Sequence, residues 1–227
     1  ALAQTLTFGS DSGATNETMC INLNGHVMDF ASADAQITLQ GSTGSSLRIM
    51  NGKLLNLSGT KLAIPAATTL ILEDVDIALS GNYTFSNAAL TFKGRNIIRG
   101  ASGAVFNNQS SANLTIDSRA RLTLLDGVVY SHHNEGAANF QFSDATSELE
   151  LIGGTFRRPD PSVSTATLKL HTGRVIIDHR SYFQPGSQGI DFGTVGNALR
   201  LVIRPGARIV VNTASGASSG ALTLAHV

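Results

Sequence analysis

Apolar residues recur along this chain at every second position in short bursts, and the bursts come in pairs separated by a polar bend. Leu70 and Leu72 lead to Val75, Ile77 and Leu79, and Leu114 and Ile116 lead to Ala120, Leu122 and Leu124. Leu168 and Leu170 lead to Val175 and Ile177, and Leu199, Leu201 and Ile203 lead to Ala207, Ile209 and Val211. A period of two is that of a strand whose alternate side chains face one interior. No long stretch places apolar residues at helical spacing, so helix is not expected. The bends read Glu73-Asp74, Asp117-Ser118-Arg119, His171-Thr172-Gly173 and Arg204-Pro205-Gly206.

Weaker copies start near Leu47-Ile49, Leu90-Phe92 and Leu149-Leu151. The starting points at 47, 70, 90, 114, 149, 168 and 199 lie about 20 to 35 residues apart, which is the scale of a solenoid coil with insertions. A β-sandwich or antiparallel barrel would show hairpin turns roughly every 8–12 residues. The turn pairs present, Asn24-Gly25, Asn51-Gly52 and Asp126-Gly127, fall inside the repeats, where a solenoid also needs corners. The pattern predicts an all-β, single-domain parallel β-helix (β-solenoid) over residues 1–227. Its nearly fully buried residues should include Leu70, Leu72, Ile77, Leu114, Ile116, Leu122, Leu168, Leu170, Ile177, Leu201 and Ile209.

Two regions interrupt the repeat. Residues 128–147, with Tyr130-Ser131-His132-His133-Asn134-Glu135-Gly136, read as a polar loop. Residues 157–166, with Arg157-Arg158-Pro159-Asp160-Pro161, read against a central strand, because proline lacks the ladder donor.

Composition sharpens this picture. Lys plus Arg and Asp plus Glu number 16 each, so the net charge is zero, and charged residues make up only 14%. Little electrostatic repulsion then opposes association of copies, and the basic excess that nucleic-acid binding needs is missing. With no Trp, 3 Tyr and 10 Phe, the core is expected to be mostly Leu, Ile, Val and Ala. The single cysteine, Cys20, rules out a disulfide within one chain and is expected to be a small buried residue. The start Ala1-Leu2-Ala3-Gln4 has the form of a signal-peptidase site, although an arbitrary cut gives the same start. No apolar run approaches the ~18 residues of a membrane-spanning helix. The strand-like segment 1–8 and the Ser/Gly/Ala-rich segment 212–227 carry no charged residue. Uncharged solenoid ends expose unpaired strand edges, which invites a second copy.

The repeats from about Leu47 to Val211, with Leu-x-Leu/Ile pairs such as Leu114-Thr115-Ile116 followed by a short bend, resemble right-handed parallel β-helix surface proteins. The closest likeness is to autotransporter and filamentous-haemagglutinin-like passengers. That resemblance implies a secreted protein at the cell surface, acting as an adhesin or structural element. The chain is far shorter than such passengers and shows no outer-membrane barrel.

Few residues carry the marks of chemistry. Other β-helix families cleave polysaccharides, and glycoside hydrolysis needs two facing carboxylates. Asp74 and Asp76 flank Val75, and Glu148 and Glu150 flank Leu149, so each pair should face outward from one strand, the ordinary place for polar residues. The Asn-Thr-Asp, Asp-Asp and Gly-His-Gly motifs that mark β-helical polygalacturonases are missing. His132, His133 and Glu135 suggest a metal site, but adjacent side chains of an extended segment diverge, so a solvated loop is expected. Asp178-His179-Arg180 reads as a corner with a local ion pair, and Gly153-Gly154 lacks the Lys-Ser/Thr of a phosphate loop. Asn16, Asn56, Asn82, Asn108 and Asn113 each begin an Asn-x-Ser/Thr sequon. An ice-binding face needs a regular threonine ladder, and the threonines fall out of register.

The sequence therefore points to a non-enzymatic extracellular structural protein, a self-associating β-solenoid building block of a surface fibre or adhesin. It predicts no catalytic residue, metal or cofactor, no nucleic-acid partner, and a homo-oligomer or filament. The alternatives are a carbohydrate-active enzyme (polysaccharide lyase or hydrolase) on a β-helix and a glycan-binding module.

Overall fold

The computed structural model describes residues 1–9, 16–133, 140–158, 168–184, 190–191 and 199–209. Within them the chain winds as a parallel β-solenoid with three walls and no helix. Every pair of named strands is parallel.

The first wall stacks Thr18–Asn22, the beginnings of Ser46–Gly59 and Thr69–Phe85, then Ala89–Lys93, Leu114–Ile116 and Phe140–Phe142. The second wall runs from Val27–Asp29 through the middle of the two long strands to Arg95–Gly100, Arg121–Leu125, Glu148–Ile152, Arg174–Ile177 and Arg200–Ile203. The third begins with Thr5–Phe8, Gln36–Leu39 and Leu62–Ala63. It continues from the end of Thr69–Phe85 through Val105–Asn108, Val129–His132, Thr155–Arg157, Tyr182–Gln184 and Arg208–Ile209.

Strand alternation sends one residue in two to the axis, and stacking converts each inward position into a continuous row. Leu47, Leu70, Leu90, Leu114 and Phe140 form one such row on the first wall. Met28, Leu54, Ile77, Ile98, Leu124, Leu151, Ile177 and Ile203 form one on the second. The third wall is different: Tyr83, Phe106, Tyr130, Phe156 and Phe183 follow one another in register as an aromatic ladder. The aromatic ladder sets the third wall apart, although Phe92, Phe140 and Phe142 also enter the core from the first wall.

The corner between the second and third walls is a ladder of its own. Gly103, Gly127, Gly153, Arg180 and Gly206 all have positive φ, and Arg180 is the one that carries a side chain. Backbone bonds join them across turns, Gly103 N–H to Gly127 C=O at 2.8 Å and Arg180 N–H to Gly206 C=O at 3.2 Å. A Cβ at Gly127 would stand 2.9 Å from Ser102 Cα, so this corner requires glycine both for its conformation and for its close approach.

Several expectations need correction. The copies at Leu149 and Leu199 belong to the second wall, since Leu149 pairs with Leu122 and Leu201 with Val175. Arg204-Pro205-Gly206 is therefore the corner after the second wall, whereas Glu73-Asp74 and Asp117-Ser118-Arg119 precede it. The first-wall strand skipped between 114 and 168 is Phe140–Phe142. The region 128–147 is not simply a loop, because Val129–His132 and Phe140–Phe142 are strands in register with their neighbours; residues 134–139 lie outside the described residues. Arg157 ends a strand of the third wall, and 159–167 lie outside the description.

Of the expected core, Leu70, Leu72, Ile77, Leu114, Ile116, Leu122, Leu168, Leu170 and Ile177 are buried. Leu201 and Ile209, on the last described turn, are only partly covered. Cys20 is exposed, because Met19 and Ile21 take the inward positions of its strand.

Candidate functional sites: a buried polar row, an arginine wall and an open end

The interior of the third wall holds a second row beside the aromatic ladder, and it changes character along the axis. Phe85 is followed in register by Asn108 and then His132, and Arg158 comes directly after Arg157 on the next turn. Asn108, His132 and Arg158 are 1%, 2% and 4% exposed, so hydrogen-bonding and charged groups sit where the other rows place hydrocarbon.

The amide of Asn108 organises this row. Its Oδ1 accepts from Ser110 N–H at 3.1 Å, which turns Nδ2 toward Tyr130 Oη at 3.0 Å and His132 Nδ1 at 3.4 Å. With Nδ1 as acceptor, the imidazole proton belongs on Nε2. The ring lies edge-on to Phe140, with centroids 5.8 Å apart, and roughly parallel to Tyr130 and Phe156 at 6.5 Å. Burial, then the nearby Arg158 and His133 charges, push the His132 pKa down to about 3, so the ring is neutral in ordinary buffers. Burial likewise raises the phenols of Tyr83 and Tyr130. His132 was expected in a solvated loop; the alternation Tyr130-in, Ser131-out, His132-in places it in the core instead. His133 faces the other way, and its Nε2 lies 3.2 Å from Ser131 Oγ, so the two histidines do not converge on one ion. Asn108 begins a sequon, and its burial denies a glycosyltransferase that side chain.

Outside the second wall, charge is arranged in rows. Arg95, Arg121, Glu148, Arg174 and Arg200 occupy successive turns at one position. Glu148 is clasped from both sides, by Arg121 at 2.5 Å and by Arg174. Glu150 accepts from Arg121 and Thr123, each at 3.3 Å. The expected outward pair Glu148/Glu150 is therefore present but is engaged on both members. Asp74 and Asp76 are also engaged. Asp74 stands in the corner with φ 54° and accepts from Arg95 N–H at 2.8 Å, and Asp76 meets Arg99 at 2.8 Å. Glu73 pairs with Arg48. Glu73, Asp74 and Asp76 thus all have partners on adjacent turns. Asp178-His179-Arg180 is a corner, with Asp178 bonded to His179 Nδ1 at 3.0 Å and to Arg204 at 2.7 Å. The His179 backbone N–H, the His179 ring and Arg204 together hold the Asp178 carboxyl at about 2.

In these pairs the guanidinium covers the carboxylate. Side-chain exposure is 39% for Arg121 against 13% for Glu148, 43% for Arg99 against 21% for Asp76, and 47% for Arg204 against 17% for Asp178. A chain of zero net charge thus shows solvent a wall dominated by arginine. Arg95 and Arg200, at the two ends of the row, are exposed and form no ion pair among the described residues.

The third feature is the first turn. Among the described residues Thr5–Phe8 and Thr18–Asn22 are each hydrogen-bonded on one side only, and the outer side of Val27–Asp29 carries one bond, Leu2 N–H to Asp29 C=O at 2.8 Å. Leu6, Phe8, Met19, Ile21 and Met28 point toward the core but stay partly exposed, and Val27 is 49% exposed. Threonines pair in register at Thr7–Thr38 and Thr91–Thr115, but the rows continue to Ala63 and Gln141, so no regular threonine face forms.

No group of three or more metal-ligating side chains is found among the described residues. No protein family, curated protein or solved structure was found to match the chain.

Proposed function

We propose that the protein is a non-enzymatic structural building block, a β-solenoid that associates with copies of itself end to end in a surface fibre or adhesin outside the cell. The observation that carries this reading is the open first turn. The edges of Thr5–Phe8 and Thr18–Asn22, with free backbone groups, and that of Val27–Asp29, met only by Leu2 N–H at Asp29 C=O, surround a half-covered apolar cross-section, and from Thr5 to Phe8 and Thr18 to Met28 no Lys, Arg, Asp, Glu or Pro intervenes. Such an edge is a template for strand addition. A second copy is the partner that fits, because the row beginning at half-covered Met28 ends at Ile203, 51% exposed on the last described turn. One copy can therefore continue the rows of another. A contact between unlike ends is heterologous and propagates. The place outside the cell rests on the likeness of the repeats to β-helical surface proteins.

The engaged carboxylates favour this reading over a polysaccharide-cleaving enzyme, since both candidate pairs are tied to partners on adjacent turns. Sedimentation velocity over a wide concentration range, with electron microscopy, tests the proposal. Oligomers or filaments are expected, and Ile21→Lys or Met28→Lys should shift them toward monomers while circular dichroism keeps its strand signal. A wild-type monomer at high concentration overturns it. Residues 212–227, the other expected interface, lie outside the described residues, and their deletion is a separate test.

A further inference from the structure

We infer that the outer face of the second wall binds an extended acidic polysaccharide, one carrying carboxylate or sulfate groups on its sugars, along the row Arg95–Arg121–Arg174–Arg200. Stacked strands repeat at about 4.8 Å, so five successive positions span roughly 20 Å of a straight line. A linear polymer can follow that line without bending. Arginine forks match planar carboxylates and sulfates in two-point contacts. Among the described residues the two terminal guanidiniums form no ion pair, and the two inner ones lie over Glu148, which is 13% exposed against their 39% and 32%. An approaching anion meets cations first.

Beside the arginines runs a second outward row, Ile97, Thr123, Glu150, Ile176 and Val202. Partly exposed Ile97 and Val202 offer hydrocarbon against which the C–H face of a sugar ring packs while its acidic group turns to the arginines. At the Arg95 end the wall has a depression bordered by Gly52, Lys53, Asp74, Asp76, Arg95 and Ile97.

The same row fits nucleic acid poorly. Phosphate binding rests on a broad basic excess, and single strands need aromatic platforms for their bases. Here the cationic row is one residue wide, acids border it, and the parallel row offers no aromatic ring.

The test uses the full chain at low salt with four probes: polygalacturonate, heparin, neutral dextran and a single-stranded oligothymidylate. Binding to at least one acidic polysaccharide is expected, with affinity falling steeply as salt rises and no binding to dextran. The first two probes separate carboxylate from sulfate as the recognised group. Arg95→Ala with Arg200→Ala, both exposed positions that leave the fold intact, should weaken binding ~10-fold or more. Arg99→Ala and Arg204→Ala, in a neighbouring row, should change it less than ~3-fold. No binding to either acidic polysaccharide, an unchanged affinity in the double variant, or equally tight binding of oligothymidylate each overturns the inference. Monomeric protein retains the row, so the outcome is independent of self-association.

Discussion

The second and third walls are stacked by the same backbone ladders, yet they place their polar chemistry on opposite sides. On the second wall the inside is aliphatic along the row Leu54 to Ile177 and holds one buried amide, Asn96, bonded to Val75 N–H and Lys93 C=O, while charges meet outside as pairs between adjacent turns. On the third wall the outer row Thr84, Asn107, Ser131, Arg157 and Gln184 holds a single charge and no ion pair among the described residues, while Asn108, His132 and Arg158 go inward. Outside, solvent screens each charge and a lost partner can be replaced by water. Inside, every polar group must find its partner within the fold, and removal of one strands the others. The second wall should therefore be tolerant and the third brittle.

The largest expected difference lies in the aromatic ladder. Phe156 is fully buried, with Tyr130 at 5.8 Å, Phe183 at 5.3 Å and Phe140 at 5.2 Å between centroids. Phe156→Ala should cost about 3–5 kcal/mol in urea denaturation by opening a cavity that rigid stacked strands cannot close. Leu151→Ala, equally buried on the second wall, should fall lower in a range of about 2–5 kcal/mol. An equal or larger loss at Leu151 would break the contrast.

His132 makes the comparison depend on pH. Its folded pKa is lowered to about 3 from 6.5, so the neutral ring is the one the fold accepts. Above 6.5 both folded and unfolded states are neutral and the residue adds no pH dependence. As pH falls below 6.5 the unfolded chain takes up a proton that the folded chain refuses, and stability should drop by up to ~1.4 kcal/mol per pH unit. The groups facing the ring are Arg158, His133, Asn108, Tyr130, Phe140 and Phe156. His133 is also lowered, by burial and by Arg157, and adds to the same window. The carboxylates held near 2, Asp144 and Asp178, lose their contribution only below the usual carboxylate range. Between pH 6.5 and 4.5 the urea midpoint of wild type should therefore fall more steeply than that of His132→Gln. Parallel profiles would place the imidazole in contact with water.

On the second wall, Glu148→Ala removes the carboxylate between two arginines. Those arginines are about a third exposed and can turn to solvent, so a loss of about 1 kcal/mol is expected, shrinking in high salt. A loss comparable to that of Phe156→Ala would mean that the outer charges are as brittle as the inner ones.

The solenoid itself was legible in the sequence, because alternation with a recurring bend has few other solutions; Leu70, Leu72, Val75 and Ile77 face inward as their spacing requires. The phase of the repeat was harder to read. Two kinds of corner, Glu73-Asp74 and Arg204-Pro205-Gly206, have the same polar look, although they stand a wall apart, and only pairing separates them. The third wall was obscured for a different reason. Tyr130-Ser131-His132 alternates as a strand should, but its inward residues are polar, so a scale that equates inside with aliphatic reads a loop. The alternation together with the aromatic residue at Phe106 and again at Phe156 was the available signal. Charge pairing between turns leaves no local trace, since Arg121 and Glu148 meet through the stack and not through the chain.

The smallest effect concerns the corner that joins the two walls, and its sign is unusual. Arg180 holds φ 59° at a position where Gly103, Gly127, Gly153 and Gly206 stand on the other turns. An L-residue in that conformation costs about 1–2 kcal/mol, whereas glycine enters it freely. Arg180 is exposed, and among the described residues it is held by the backbone bond to Gly206, which glycine also makes. Glycine offsets part of the gain by loosening the unfolded chain. Arg180→Gly should thus stabilise by something under about 1 kcal/mol, visible as a small rise in the urea midpoint. Gly127→Ala tests the same corner in reverse, because its Cβ meets both a left-handed backbone and Ser102 Cα at 2.9 Å. A destabilised Arg180→Gly, alongside a tolerated Gly127→Ala, would show that the corner is held by side chains and not by its backbone ladder.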